Sequence, residues 1–530
     1  MKNRVIFFLL FLFPLLISLR LFRLGYFSMQ DDNQIFRLQQ FDHCLKDGQI
    51  PCRYIPEGGL GYGYPLFNFY PPLPYAVAEI FHLLGFSFIN SVKAVFILPN
   101  FIRAFSMYLF SATFFGPLGG LLSSVLYTLA PYQALNSFVR GALAEHWALS
   151  LFPLILFFFY QNKTIFFTLS LSALFLTHNL STFYFLPLLA LLSLLSSRFI
   201  YFLKHTLFSF CLSAFFLLPA IFEVKYVTTE TMTQGYFYYA SHFTTLRQLF
   251  IDRFWGYGAS LWGPKDDMSF QVGYLHWLIP MSVILFVAIN HKIKHRRLIL
   301  TFFLVGLLAL FLTHNRSTFI WQSIPLMPYF QFPWRFLGLA VLSLSFVSGS
   351  FPLKTNIWLY LIIFLIIILN INYFREDIWY PNLTDKQKLS GNELIRQTAA
   401  GLMDYWTKFS KNYPNSYASV QPQILFGSSQ ISFFQKSSRQ LALDISVNSK
   451  TSLIQLPLVY YPRWLLTIDK SPLPYYIDHD LGLITILVPQ GQHHLRLNFV
   501  NTPLRTLANL ISLVSFLSLV VYLSYEKKFS

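Results

Sequence analysis

Runs of about 20 apolar residues, separated by short polar turns, recur along most of this chain. A helix needs roughly that length to cross a ~30 Å hydrocarbon layer, and without water its backbone groups must satisfy one another. The runs predict about twelve spanning helices, near residues 4–24, 93–115, 117–135, 146–161, 164–178, 181–197, 205–222, 273–290, 298–313, 333–351, 356–373 and 504–524. The first run resembles a signal peptide. However, no small-residue cleavage motif follows, and Arg20, Arg23, Tyr26 and Phe27 come instead, which predicts a retained helix.

Pro71 to Gly85 is short, opens on prolines and carries Glu79 and His82. Counting it as a span inverts the sidedness of everything after it. Read as interfacial or re-entrant, it leaves Lys2/Arg4, Lys163, Arg198/Lys204, the basic run from His291 to Arg297, Lys354 and Lys527/Lys528 on one side. Lys and Arg favour the cytoplasmic side, so both chain ends are expected there. Segments 25–92, 223–272, 314–332 and 375–503 then face outward.

The last of these changes period. Leu441, Leu443, Ile445 and Val447 alternate with polar residues, as do Ile484, Ile486 and Val488, and then Leu495, Leu497 and Phe499. Alternation between the turn signals Asp480-Leu-Gly482 and Pro489-Gln-Gly491 predicts antiparallel strands packed as a small sandwich. Residues 375–420 are expected to be partly helical. The fold expected is an all-α polytopic membrane protein with an external β-sandwich-like domain. Its divisions are a transmembrane core over 1–374, a β-rich domain over 375–503, and a final span with a cytoplasmic tail over 504–530.

Composition agrees. Of 530 residues, 55% are hydrophobic and only 12% are charged, about half the charge of a soluble domain. The net charge of +17 fits cytoplasmic anchoring and anionic lipid contact. No basic, aromatic-interleaved soluble domain points to nucleic acid. Cys211 lies in an apolar run, whereas Cys44 and Cys52 share one loop. Those two form a disulfide if the loop faces an oxidising side, and are two thiols otherwise. No metal-binding cysteine spacing occurs.

Candidate chemistry gathers at the outer boundary. Asp31 and Asp32 follow the first helix, and Glu145 sits in the short loop Asn136–His146. Carboxylates there act as general bases, metal ligands or solvated loop charges. Ile35, Phe36, Leu38, Phe41 and Leu45 then form one face of a helix suited to lying on the membrane. Arg20, Arg23, Arg140 and Arg335 place positive charge where the sidedness rule disfavours it. Such arginines snorkel to headgroups or grip a lipid-linked phosphate. Phe175–Phe183 and Phe311–Phe319 match at eight of nine positions, each with a His-Asn pair, His178/Asn179 and His314/Asn315. Neutral histidine both donates and accepts, which suits hydroxyls or phosphate. Tyr62 and Tyr64 lie in an aromatic, glycine-rich stretch that serves as interfacial belt or sugar-stacking surface.

Gly61–Pro74 (GYGYPLFNFYPPLP), following Asp31-Asp32, resembles the signature of bacterial membrane proteins labelled 6-pyruvoyl-tetrahydropterin-synthase-related. The likeness extends through Arg140–Glu145 and Phe332–Arg335, and Tyr460 to Asn509 resembles the tail of YfhO-like membrane proteins. The label is not an activity, since nothing here reproduces the three-histidine zinc site of a pterin synthase. The arrangement is instead similar to class C (GT-C) glycosyltransferases, which carry carboxylates in the first and second external loops and draw sugars from polyprenyl phosphates. Asp31/Asp32 match the first position and Glu145 the second. Two departures stand out: the second acid is commonly Asp, and a histidine expected four residues after the first acid is Phe36.

The resemblance implies a plasma-membrane enzyme that transfers a sugar from a polyprenyl-phosphate donor to a glycan or lipid acceptor on the outer face. Asp32 or Asp31 would take the acceptor's proton. Glu145 would orient the acceptor or hold a divalent metal, and Arg335, Arg140, His178 and His314 would bind the donor phosphate. The alternatives are a lipid-carrier flippase, which would place charges at the bilayer midplane and pair its halves, and an envelope-assembly scaffold.

Overall fold

Glycine and proline make the first sharp turn. Residues 88–128 read as one 41-residue helix, yet Gly116 has φ 71° and ψ −178°, and Pro117 follows. Ser124 Oγ donates to Ala104 O at 2.6 Å. A continuous helix would hold residues 20 apart ~30 Å from each other, so this stretch is a helical hairpin. It supplies the antiparallel pair predicted at 93–115 and 117–135. These coordinates are a computed structural model that describes residues 3–263, 266–290, 292–352, 356–401, 404–478 and 480–529. Lys2, His291 and Lys354, three of the basic residues assigned to the cytoplasmic side, lie outside them.

Helices fall at all twelve predicted positions. Among the described residues, five are long and apolar enough to cross a membrane: Arg4–Phe22, Phe88–Thr128, Leu143–Tyr160, Arg296–Thr313 and Pro503–Ser524. The rest are shorter apolar helices, and the predicted 205–222 span breaks at Ser213.

The chain divides into two units. The first holds residues 1–32, 89–209 and 232–384. At its centre, every residue of helix Leu337–Ser348 is buried. A helix apolar all round has no solvent-facing side, and its Gly338, Ser343, Ser345 and Ser348 let neighbours approach closely.

Segment ends in this unit sort into two groups. At one end Gln161 Nε2 donates to Thr113 Oγ1 at 3.1 Å, Phe114 packs on Tyr160 and His295, and Arg198 caps Phe159 O at 3.1 Å. At the other, Gln30 N donates to Val139 O at 3.0 Å and Asp31 N to Arg140 O at 2.8 Å. The 18-residue helix Leu143–Tyr160 separates them by about 27 Å. Arg20 and Arg23, candidates for a lipid phosphate, both pair with the buried Glu376, and Arg23 lies 4.0 Å from the Trp379 ring centroid. Beside them, Tyr26–Phe27 and Trp379–Tyr380 form a two-residue antiparallel ribbon.

The second unit holds residues 33–88, 210–231 and 385–530. Its sheet comprises β1 (Gln423–Phe426), β2 (Ser429–Lys436), β3 (Gln440–Val459), β4 (Trp464–Ile468), β5 (Ser471–Pro472), β6 (Tyr476–Ile477) and β7 (Leu483–Phe499). In place of two separate layers, one open antiparallel sheet runs β1-β3-β7-β4-β5, with β2 also on β3 and β6 on β7. The alternation holds: Leu441, Leu443, Ile445, Val447, Ile484, Ile486, Val488, Leu495 and Leu497 are all buried. Pro489-Gln-Gly491, expected to be a turn, shifts the β3–β7 register between Val447 and Thr451 without ending β7. Irregular residues on both long strands let one ladder continue past a proline. The stretch 385–398 supplies two short helices.

The helix predicted to lie on the membrane, Gln34–Lys46, is buried on both faces. Its polar residues have partners inside the unit. Gln40 Nε2 donates to Glu57 at 2.8 Å, and Arg37 sits 4.3 Å from the Tyr70 ring centroid. Cys44 and Cys52 form a disulfide in this unit.

Helix Leu73–Leu83 has 11 residues, about 16 Å, too short for a ~30 Å core. It exposes Ile80 and Leu83, while Glu79 is 2% exposed and, among the described residues, neither carboxylate oxygen accepts from a basic side chain or a backbone N–H. Burial, then the Asp42 carboxylate, push its pKa from 4.5 to about 7. Between those values the folded state keeps a proton that the unfolded chain has lost, so Glu79 makes stability fall as pH rises from about 4.5 to about 7. Glu79→Gln should flatten that slope and be more stable than wild type at pH 8, by about 3 kcal/mol at most. Melting temperatures from pH 4 to 8 measure it; an unchanged slope would assign the titration to another group.

Candidate functional site

Glu145 is not in a loop. It occupies the first turn of helix Leu143–Tyr160, where the positive end of the helix dipole favours a carboxylate. It is 2% exposed. Arg140 Nη1 donates to its Oε2 at 2.8 Å, and Arg335 Nε lies 3.6 Å from the same oxygen. Tyr132 OH donates to Oε1. Both oxygens are therefore engaged by the protein.

Two local sequences deliver the arginines. Leu135–Val139 forms a π-helical turn that carries Asn136, whose side-chain oxygen accepts from Arg140. Gly141 follows at φ 65°, and a Cβ there would lie 2.2 Å from Met29 Sδ. Only glycine lets the second loop lie against residues 29–31 in this way. Pro333–Phe336 is a 3-10 turn opening into the central helix. It aims Arg335 at Glu145 and sets Trp334 4.4 Å from the Arg140 guanidinium. Arg335 is fixed further by Phe330 O at 2.7 Å and Gln331 Oε1 at 3.0 Å. At Gly338 a Cβ would meet Tyr184 OH at 3.1 Å and Tyr132 Cε1 at 3.6 Å, so the missing side chain makes room for two phenols beside the carboxylate.

Asp31 comes to the same end of the unit as Glu145. Asp31 donates its backbone N–H to Arg140 O, its side chain is within electrostatic reach of the Arg140 guanidinium, and it is exposed; Asp32 is half-buried. His178 also lies within electrostatic reach of Glu145 and both arginines. Its Nδ1 accepts from Ser181 N at 3.2 Å, which leaves the ring proton on Nε2. Asn179, half-buried, opens the next helix.

Other candidates stand apart. His314 Nδ1 accepts from Arg316 N at 3.2 Å, and Asn315 is exposed in the following turn. Neither is among the bonding partners of Glu145 in the described residues. The nine-residue echo is a shared capping device, with each histidine accepting from the backbone of the turn it opens. Tyr62 and Tyr64 belong to the second unit. There Tyr64 OH donates to Gly401 O and accepts from Tyr405 N at 3.1 Å, and Tyr62 O accepts from Val459 N at 2.9 Å.

Sequence reasoning missed Tyr132, Asn136 and Trp334. Trp334 lay inside the quoted Phe332–Arg335 motif, and its neighbour's charge was the available signal. Among the described residues, no group of three or more His, Cys, Asp or Glu is placed to hold a metal ion. The sequence matches no protein-family model and no curated protein.

Glu145→Ala would leave two buried guanidiniums without a counter-charge, a loss of about 3–5 kcal/mol. Asp31→Asn, exposed, should stay within about 0.5 kcal/mol of wild type. Thermal unfolding in detergent separates them. Equal stability of all three proteins would mean that the carboxylate is not the buried partner of these arginines.

Proposed function

We propose that the protein is a membrane glycosyltransferase of the GT-C kind. It transfers a sugar from a polyprenyl-phosphate donor to an envelope acceptor on the outer face of the plasma membrane. One observation carries the reading: the first-loop acid, Asp31, and the second-loop acid, Glu145, share one end of the first unit with Arg140 and Arg335. The resemblance of Asp31/Asp32 and Glu145 to the first-loop and second-loop acids of class C enzymes supports it.

In this mechanism Asp32 or Asp31 takes the acceptor hydroxyl proton as its oxygen attacks the sugar's anomeric carbon. The bond from that carbon to the phosphate oxygen breaks, and the electron pair leaves with the polyprenyl phosphate. Arg140 and Arg335 meet the charge gained by that phosphate, a stabilisation greater in the transition state than in the ground state. Glu145, with both oxygens taken, serves by holding the two guanidiniums in place. His178 Nε2–H adds a donor nearby. The protein is read as crossing the bilayer about twelve times, with both ends cytoplasmic. The Cys44–Cys52 disulfide suits an oxidising outer side.

Purified protein with a panel of polyprenyl-phosphate sugars tests the chemistry. Asp32→Asn should lose about 10²–10⁴-fold in turnover. Arg335→Lys should weaken donor use, because an ammonium lacks the planar fork that binds phosphate at two points. Full activity in both variants would sink the roles assigned.

Sidedness is tested separately. In intact cells, an impermeant thiol reagent should label Ser437→Cys and not Lys294→Cys. The opposite pattern would put the acids on the cytoplasmic face.

A further inference from the structure

The second unit buries a second charged cluster, unrelated to the proposed chemistry. Glu223, at the C-terminus of helix Ala214–Phe222, accepts four hydrogen bonds. They come from Asn68 Nδ2 at 3.0 Å, Tyr461 OH at 3.1 Å, Thr502 Oγ1 at 2.7 Å and Arg505 Nε at 2.9 Å. Arg53 donates to Asn68 Oδ1 at 3.2 Å, Phe215 O at 2.9 Å and Asn509 Oδ1 at 3.0 Å. The side-chain acceptors are thereby occupied. Donors remain: among the described residues, no acceptor in hydrogen-bond geometry reaches the buried Arg505 Nη1, Arg505 Nη2 or Arg53 Nε.

The charges do not balance either. Two guanidiniums face one carboxylate, and Arg505 is 0% exposed. Arg505 also sits in the first turn of helix Pro503–Phe529, so the positive end of that dipole adds to the excess. The Tyr461 and Phe499 ring centroids lie 5.0 Å from its guanidinium carbon. They offset part of the charge. Arg53 is held down to about 10, by burial first and then by the neighbouring Arg505. A buried cation with unmet donors costs several kcal/mol, a cost that an anion beside it would offset.

We propose that this cluster holds one small inorganic monoanion, a halide, enclosed as the unit folds. A lipid headgroup is the wrong size for a site whose guanidinium has no exposed surface, and a halide accepts from several N–H groups with no directional demand of its own.

The test is thermal unfolding of the full chain in detergent, with sodium chloride or bromide exchanged for sodium gluconate at constant ionic strength. Halide should raise the melting temperature by about 2–6 °C and saturate, as a ligand that binds only the folded state does. Arg53→Gln brings the cluster to neutrality and should remove the dependence. Should that variant not fold, bromide anomalous scattering from wild-type crystals replaces it, with a peak expected among Arg53, Arg505 and Asn68. Indifference to halide at constant ionic strength, stabilisation by sulfate or phosphate but not halide, or no bromide peak there would each overturn the assignment.

Discussion

A carboxylate removed from water must find its charge again inside the protein, and Glu145 does so with two arginines brought from distant parts of the chain. Bringing such ions out of water costs several kcal/mol each, recovered only in good geometry with every lone pair used. That condition constrains much of the first unit. The π-helical turn sets Asn136 on Arg140, the glycine at 141 brings the second loop onto the first, and the 3-10 turn at 333–336 feeds Arg335 in from the central helix. If any of these turns were regular, a charge would be left facing apolar neighbours.

The same unit shows what a buried cation does without such a partner. Arg103 is fully enclosed, and its acceptors are neutral: Asn100 Oδ1, His146 O and His146 Nδ1, each at 3.1 Å. Accepting there fixes the His146 proton on Nε2, which lies 3.1 Å from Phe96 O. Among the described residues, neutral dipoles supply its hydrogen bonds. His146 follows Glu145 directly, so the anchored histidine also fixes the first turn that carries the carboxylate. The Arg103 network therefore acts on the Glu145 site through one peptide bond and needs no contact with it.

The helices were legible because lipid imposes the strongest rule on sequence, namely long apolar runs. Even the hairpin was visible, since Gly116-Pro117 interrupts a run too long for one crossing. Of the site, the ionised members were legible. Charge at an apolar boundary is rare enough to mark Arg140, Glu145 and Arg335. Their neutral partners were not, because Tyr132 and Trp334 are indistinguishable in sequence from the aromatic residues that anchor any membrane protein. The paired His-Asn motifs drew attention through repetition, yet repetition also arises when two helices begin alike. Helix Gln34–Lys46 misled for a related reason. Its polar stripe looks solvated, but Gln40 and Arg37 spend that polarity on Glu57 and Tyr70. Sequence period reports polarity, not whether water or protein satisfies it.

The pairing of Glu145 bears on what the site can do. In the proposed reaction, a carboxylate that already accepts from a phenol and is neutralised by two guanidiniums has its assigned contribution in orienting them. Arg140 is fixed by Asn136, Glu145 and the face of Trp334; Arg335 by Glu145, Phe330 O and Gln331. Neither guanidinium must reorganise when charge develops beside it, and preorganised charge does most in a low-dielectric interior. Asp31 is exposed, with its backbone N–H on Arg140 O and its side chain within electrostatic reach of the Arg140 guanidinium. In the proposed reaction, this difference in burial assigns positioning to Glu145 and proton transfer to an aspartate of the pair Asp31/Asp32.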